Sequence, residues 1–185
     1  MTTRPSEDSN DATNGWFQRL FDEGYTPLIA YARRRTADAN DADDIVAEVF
    51  AVAWRRRTER LADNTSPSAE LPWLYGIAAN VLRNHRRSQG RRLRLVERLE
   101  SQPAPGQLDP SQLTETTLRD ALEQLPFDDR ELLRLIAWEG LSHAEIGVVL
   151  GISTNAVGIR AHRARKKLEA ELTDTHPSRS EEGTT

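Results

Sequence analysis

The sequence lacks the residues on which many kinds of active site depend. Its 185 residues include no cysteine, which excludes disulfide bonds, thiolate nucleophiles and cysteine-bound zinc. The four histidines are scattered, and neither an H-E-x-x-H motif nor a glycine-rich phosphate loop occurs. We therefore expect no enzyme, and a protein that needs neither a cofactor nor a metal ion.

Long apolar runs are also missing. No stretch approaches the roughly 20 residues that cross a bilayer, and residues 1–14 are polar and acidic, unlike a secretory signal. Hydrophobic residues make up 37% of the chain and charged residues 29%, which is enough for thin cores. We expect a soluble, cytoplasmic protein without membrane insertion, built as one ordinary domain or two small ones.

Apolar residues recur at helical spacing in the N-terminal half, and no stretch alternates as a β-strand does. The first stripe spans residues 17–32, and its helix is expected to bend or break near Gly24 and Pro27. Asp41 is the expected N-cap of a second helix, and Pro72 fits the first turn of a third. These helices predict one small bundle.

The composition changes between residues 101 and 111, where three prolines and a glycine predict a linker. A helix after this linker is stopped by Pro126. Asp128 and Glu131 then have the spacing of a capping box for a helix over residues 129–139. A second domain is therefore expected to follow the linker.

The end of the chain has the pattern of a helix-turn-helix. Ser142 and Glu145 predict a capping box for a short helix, Gly151 permits a tight turn, and Ser153 can cap a last helix. The fold class is therefore all-α, with two small helical domains joined by a flexible linker. The predicted divisions are a disordered tail over 1–13, a first domain over 14–98, a linker over 99–112, a second domain over 113–172 and a disordered tail over 173–185.

The net charge of -4 conceals a strong segregation of charge. Residues 83–98 carry seven arginines and one glutamate, and residues 160–167 carry five basic side chains and no acidic one. Residues 99–131, between them, hold eight acidic side chains and two arginines. Two basic blocks indicate two contacts with a polyanion such as nucleic acid, and the acidic stretch is expected to discourage binding of free DNA.

The last helix is the first candidate for DNA contact. Arg160, Arg163 and Lys167 share one side of it, which we place opposite the apolar stripe, and Thr154 and Asn155 lie at its N-terminal end. In a helix-turn-helix the first residues of the second helix meet base edges, while flanking cations neutralise phosphates. The alternative is a charged surface helix, which would place five cations in eight residues without compensating acids.

The third helix carries a second polar face. Asn80, Asn84, Arg87 and Arg91 follow one another at helical spacing, with amides at one end and guanidiniums at the other. Amides can bind exposed bases and guanidiniums can hold phosphates. A solvated face with no ligand is the alternative.

The second helix presents an acidic pair. Asp44 and Glu48 lie one turn apart, where two like charges destabilise a helix slightly. Asp44, expected in the first turn, would interact favourably with the helix dipole. Glu48 lies further from the N-terminus and would not. We interpret the pair as a contact for a basic protein partner, with an ordinary solvated pair as the alternative.

Several segments in order resemble the extracytoplasmic-function (ECF) sigma factors of bacterial RNA polymerase. The resemblance covers about residues 16–98 and 113–172. The segments that carry it read LIAYARRR at 28–35, DADDIVAEVF at 41–50, AWR at 53–55, WLYGIAANVLRNHRR at 73–87, LRDALEQLP at 118–126, GLSHAEI at 140–146, LGIS at 150–153 and HRAR at 162–165. The first three are similar to regions 2.1 and 2.2 of the family, the fourth to regions 2.3 and 2.4, and the rest to region 4.

The resemblance implies a partner for each domain. Region 2 would bind the clamp helices of core RNA polymerase and open promoter DNA at the -10 element, and region 4 would bind the -35 element. The clamp-binding helix would include Asp44, Glu48 and Phe50 as contact residues, with core packing as the favoured alternative for Phe50. A loop over residues 63–70 would capture an unstacked -10 base. Many members are silenced by an anti-sigma factor, so the resemblance also allows such a partner.

The resemblance extends both sets of candidate DNA contacts. The residues implied for the -10 element are Asn80, Arg83, Asn84, Arg86 and Arg87. Those implied for the -35 element are Ser153, Thr154, Asn155, Gly158, Ile159, Arg160, Arg163 and Lys167. Gly158 and Ile159 stand where a basic residue and then serine are common in the family, so the family's usual -35 preference is not expected to carry over.

Two other functions fit parts of the sequence. Residues 140–168 also look like the effector domain of response regulators, which would make the protein a stand-alone helix-turn-helix regulator. A receiver domain would alternate strands and helices, whereas the N-terminal half here predicts helices alone. A helical adaptor that binds only proteins is the third alternative, and it predicts that alanine at Arg160 and Arg163 leaves function unchanged.

Overall fold

A computed structural model describes residues 7–63, 67–96 and 118–175. All regular structure in these residues is helical, and the chain divides into two compact units, Met1–Gly90 and Arg91–Thr185. The predicted linker over residues 99–112 lies outside the described residues, as do most residues of the two predicted tails.

Among the residues that the structure describes, the first unit has four α-helices and a short 3-10 turn, and the last helix continues past the boundary at Gly90. These are α1 (Glu7–Arg33), α2 (Ala39–Arg55), α3 (Arg57–Ala62), the turn Pro67–Ala69 and α4 (Glu70–Val96). Helix α1 begins at Glu7 and so includes residues 7–13. The prediction of a disordered tail is therefore corrected for these residues.

Helix α1 also runs through Gly24 and Pro27, where a bend or break was expected. A proline removes one backbone donor from a helix, but the residues that follow it are held by packing. Leu28 and Tyr31 are almost fully buried, and the Tyr31 ring lies 4.9 Å from the Tyr75 ring of α4. Burial of this face therefore keeps the helix continuous.

The core of the first unit lies where α1, α2 and α4 meet. Apolar side chains repeat at helical spacing on each helix and are buried, among them Leu20, Ile45, Val49, Ala53, Leu74, Ala78 and Leu82. A Cβ at Gly24 would lie 2.6 Å from Cδ1 of Leu74, so the glycine lets α4 approach α1 closely. The Trp16 indole donates a hydrogen bond to Oε1 of Glu70 at 2.8 Å, which ties α1 to the start of α4.

The expected N-cap of α2 is wrong by three residues. Asp38 has the extended backbone of a cap, and its carboxylate accepts a hydrogen bond from the backbone N–H of Asn40 at 2.8 Å. Asp41 lies inside the first turn, 3.6 Å from Nε2 of His85.

Beyond the end of α4, the described part of the second unit forms four helical segments. They are α5 (described over 118–124), α6 (Phe127–Ala137), α7 (His143–Leu150) and α8 (Thr154–Thr175). Its core combines Leu122, Leu132, Leu135, Ile146 and Val157. Helix α8 extends over residues 173–175, which the sequence had placed in the C-terminal tail.

The capping box predicted from Asp128 and Glu131 does not form. Helix α6 begins directly after Pro126, and no side chain caps it. Glu131 is 2% exposed and lies within the helix, and Asp128 is 3.6 Å from the Arg160 guanidinium of α8. The proline ends the preceding helix and starts the next without a separate capping residue.

Candidate nucleic-acid interface

Local hydrogen bonds fix the starts of both helices of the helix-turn-helix, α7 and α8. The Glu145 carboxylate accepts from the backbone N–H of Ser142 at 2.8 Å, and Ser142 Oγ accepts from the backbone N–H of Glu145, so the predicted capping box is confirmed. The bonds to the Ser142 hydroxyl and backbone lower the pKa of the Glu145 carboxyl. Ser153 caps α8, because its hydroxyl accepts from the Ala156 N–H at 3.2 Å.

Two glycines allow the turn between α7 and α8 to be tight. Gly151 ends α7 with a φ of 67°, the left-handed conformation that favours glycine. A Cβ at Gly147 would lie 2.8 Å from the carbonyl oxygen of Ile152, so a larger residue would push the turn away from α7. The start of α8 is therefore held at a fixed position beside α7.

One face of α8 is buried and sets the direction of the others. Val157, Ala161 and Ala164 are at most 1% exposed, as their spacing predicted, and Leu168 is half-buried. The small alanines let α8 lie close to the rest of the unit. Residues on the far side of the helix are left facing solvent.

Arg160 and Lys167 are held on the flank of α8 by one carboxylate of α6. Asp129 accepts from Nε of Arg160 and from Nζ of Lys167, both at 2.8 Å, and its side chain is 9% exposed. Burial disfavours the charged form of Asp129, but the bonds to Lys167 and Arg160 outweigh it and lower the pKa of the carboxyl.

This position corrects the placement of the two cations opposite the apolar stripe. At 100° per residue, Arg160 and Lys167 lie only about 60° and 80° from Val157 around the helix. Arg163 lies about 120° away from Val157 on the same side. Arg160 and Lys167 therefore link α8 to α6, although the Lys167 side chain is half exposed, and Arg163 lies nearest of the three to the side opposite Val157.

That side of α8 forms an open groove with the start of α7. The residues that line the groove are His143, Thr154, Asn155, Gly158, Ile159, His162 and Arg163. None of these described lining residues carries a carboxylate, and the Ile159 side chain is 49% exposed. The groove thus combines amide, hydroxyl, imidazole and guanidinium groups around one apolar side chain.

His143 and His162 are the groove residues that the sequence analysis missed. His162 lies four residues after Gly158, one turn further along the same face, which the helical spacing alone could have indicated. His143 is the first residue of α7, and only the folded turn brings it beside α8. An ideal Cβ at Gly158 would lie 3.7 Å from its Nδ1 atom.

The polar face of α4 is exposed as predicted, but its first amide is already bonded. Asn80 donates to the Gly76 carbonyl at 3.0 Å and accepts from Nη1 of Arg83 at 2.7 Å. Asn84 and Arg87 are exposed, and Arg86 is half-buried. The side chain of Arg91 and the residues 64–66 of the candidate base-capturing loop lie outside the described residues.

The acidic face of α2 is also at the surface. Asp44 and Glu48 are exposed, and Ala47 and Ala51 are exposed beside them, so the face is acidic and shallow. Phe50 is different: it is 6% exposed, and its ring lies 4.8 Å from that of Phe21. Phe50 is therefore a core residue, as the favoured alternative had it, and its assignment to the clamp contact is corrected.

The described residues also contain no cluster of acidic or histidine side chains that could hold a metal ion. No helix within them is long and apolar enough to cross a membrane.

Models of known protein families match both units. Residues 20–92 match sigma-70 region 2, and residues 116–168 match sigma-70 region 4. Two helical units, the second a helix-turn-helix, therefore define a transcription factor of the sigma-70 type. The family as a whole consists of transcription initiation factors, not enzymes.

Individual relatives narrow this class. The chain is 32% identical to the ECF RNA polymerase sigma factor SigL of Mycobacterium tuberculosis over 157 residues, covering 83% of this chain and 86% of SigL. It is also 32% identical to the ECF sigma factor EcfG of Rhodopseudomonas palustris, with 78% of each chain covered. The chain belongs to the ECF family of RNA polymerase sigma factors.

Solved structures agree with this fold. CnrH, in a complex with the cytosolic domain of CnrY, is 27% identical, with a TM-score of 0.60 over 90% of this chain and 96% of that one. The sigma factor RpoE of Bartonella quintana has a TM-score of 0.59 over 86% of this chain and 98% of that one, at 23% identity. The helical architecture predicted from the sequence is confirmed, and a stand-alone regulator is not favoured.

Proposed function

We propose that this sigma factor is a non-catalytic, cytoplasmic specificity subunit whose two units divide promoter recognition. The region 4 unit would read the -35 duplex with α8, and the region 2 unit would bind core RNA polymerase with α2 and the melted -10 strand with α4. The proposed domains are those predicted from the sequence, with the region 2 unit beginning no later than Glu7. The observation that carries the proposal is the solvent-facing groove on α8.

The groove has the chemistry of a base-reading surface. Asn155 lies in the first turn of α8, where a helix-turn-helix meets base edges, and Arg163 can pair with a phosphate or guanine. Arg160 and Lys167 are bonded to Asp129, so we assign them to positioning of α8.

The acidic face of α2 fits a basic partner surface. Asp44 and Glu48 are exposed beside two alanines, so a partner helix could approach closely and pair with both carboxylates. On α4, Asn84 and Arg87 are exposed and would contact the melted strand, and the bonded Asn80–Arg83 pair lies on the same side of the helix.

An anti-sigma factor is the further partner that we propose. CnrH, which shares the fold and 27% of its sequence with this chain, is bound to the cytosolic domain of CnrY in its solved structure. A regulator that covers α2 would compete directly with polymerase.

The test is transcription with purified core RNA polymerase on a library of genomic promoter fragments. Wild-type chain should yield specific run-off transcripts, and Asn155→Ala with Arg163→Ala should abolish them while polymerase binding persists. Glu48→Lys should abolish polymerase binding instead. Glu59→Lys is the matched control, because Glu59 is exposed on α3 rather than on α2 and the change in charge is the same. Equal loss with both lysine variants would contradict the assignment of this face.

A further inference from the structure

Ile159 is the one purely hydrocarbon side chain among the described residues that line the groove on α8. Ile159 is 49% exposed, with its side chain in the groove between the amide of Asn155 and the guanidinium of Arg163. Contact between an isoleucine side chain and water is unfavourable, so a ligand that covers Ile159 is stabilised by removing apolar surface from water. An apolar group on the DNA is therefore the matching partner.

Gly158 leaves space directly beside this side chain. Glycine within a helix is less favourable than alanine. No atom blocks a larger residue here, because the nearest neighbour of an ideal Cβ is Nδ1 of His143 at 3.7 Å. Packing therefore does not require glycine at this position. Because Gly158 has no side chain, it leaves a notch in the groove surface, bounded by His143, Ile159 and His162.

In the major groove the exposed apolar group of a base is the C5 methyl of thymine. We propose that Ile159 reads a thymine methyl in the -35 duplex and that the notch at Gly158 admits it. This inference rests on the proposed function, because it names the base chemistry that the same groove recognises. It gives a specificity role to a position where the family commonly has a polar residue.

The experiment uses holoenzyme reconstituted from the full chain and core polymerase. The -35 element is first selected from a randomised duplex, and each thymine in it is then replaced by deoxyuridine, which removes only the C5 methyl. At one thymine we expect affinity to fall about fourfold, the effect of burying one methyl group. Ile159→Ala should bind thymine and uracil at that position equally, and Gly158→Ala should reduce the preference by filling the notch.

Val148→Ala is the matched control, since Val148 is 53% exposed but does not line the groove, and it should keep the full preference. Equal binding of thymine and uracil by wild type at every position would overturn the inference while leaving -35 recognition intact. An undiminished preference in Ile159→Ala would also overturn it. If no -35 element is selected at all, the proposed function fails and this inference fails with it.

Discussion

Asp129 is the residue on which the position of the recognition helix depends most. It is nearly buried and bonds Arg160 and Lys167 of α8 from its place on α6. We expect Asp129→Asn to lower the free energy of unfolding of this unit by about 1–3 kcal/mol, because charged hydrogen bonds are lost from two cations. Hydrogen exchange of the amides in α6 and α8 measures this unit separately from the other.

Asp128→Asn is the control for that measurement. Asp128 is more exposed and lies 3.6 Å from Arg160, so its loss should cost less than about 1 kcal/mol. Equal protection in the two variants would show that the buried carboxylate does not anchor α8.

The same carboxylate gives a pH dependence of known sign. The pKa of Asp129 is lower in the folded chain than its ordinary value of 3.8, so its contribution is fully present above that value and is lost as the pH falls below it. The difference in stability between wild type and Asp129→Asn should be constant near neutral pH and shrink below about pH 4. Other carboxyl groups, including Glu145, titrate in both proteins and cancel from the difference. A difference that grows on acidification would contradict the assigned shift.

At the scale of the helices, two glycines inside α1 and α8 should respond to alanine with opposite signs. Gly24→Ala would place a methyl 2.6 Å from Cδ1 of the fully buried Leu74, and overpacking costs about 1–3 kcal/mol, more than the helix gains. Gly158→Ala meets no atom closer than 3.7 Å and should gain up to about 1 kcal/mol. Thermal unfolding followed by circular dichroism measures both. A neutral Gly24→Ala would mean that Leu74 can move aside.

The two capping boxes show which parts of a helix the sequence predicts. Ser142 and Glu145 form theirs because α7 begins at His143, which makes Ser142 the N-cap and Glu145 the third residue of the helix. Asp128 and Glu131 have the same spacing but form none, since the helix begins at Phe127. The spacing of two residues thus predicts a capping box only if the start of the helix is also known. For α6, Pro126 sets that start, and the spacing of Asp128 and Glu131 does not take it into account.

The candidate site was predictable in the same limited sense. The positions of Asn155, Ile159 and Arg163 on α8 followed from the helix-turn-helix pattern. The bonds of Arg160 and Lys167 to Asp129 could not be predicted in this way, because they join residues 31 and 38 positions apart in the sequence. Contacts at such separations depend on how α6 and α8 pack, which the periodicity of one helix does not specify.

Across the whole molecule, the acidic stretch between the two basic blocks is expected to weaken binding to free DNA. Neutralising acidic side chains in this stretch tests that expectation. Glu123 is left unchanged in the test variant, because it pairs with the nearly buried guanidiniums of Arg130 and Arg134 and supports the fold. We expect Glu115→Gln combined with Asp120→Asn to tighten duplex binding by the chain without polymerase. The gain should vanish at high salt, where the Debye length falls to about 3 Å.

Fluorescence anisotropy of a labelled duplex at several salt concentrations measures this effect. Glu123→Gln is the contrasting variant, and it should lower stability because Arg130 and Arg134 each lose an ion pair with the carboxylate. Unchanged affinity of the double variant at low salt would remove the autoinhibitory role of the acidic stretch.

The four tryptophans are distributed unevenly between the units, with Trp16, Trp54 and Trp73 in the first and Trp138 in the second. Trp138 is 45% exposed, and the Arg134 guanidinium lies 5.5 Å from its ring centroid, whereas Trp16 is 6% exposed. A variant with phenylalanine at the first three positions would therefore emit from the region 4 unit alone. In that variant, Trp138 is an intrinsic fluorescent probe that a soluble quencher such as iodide can reach. Reduced quenching would report that a partner covers this unit.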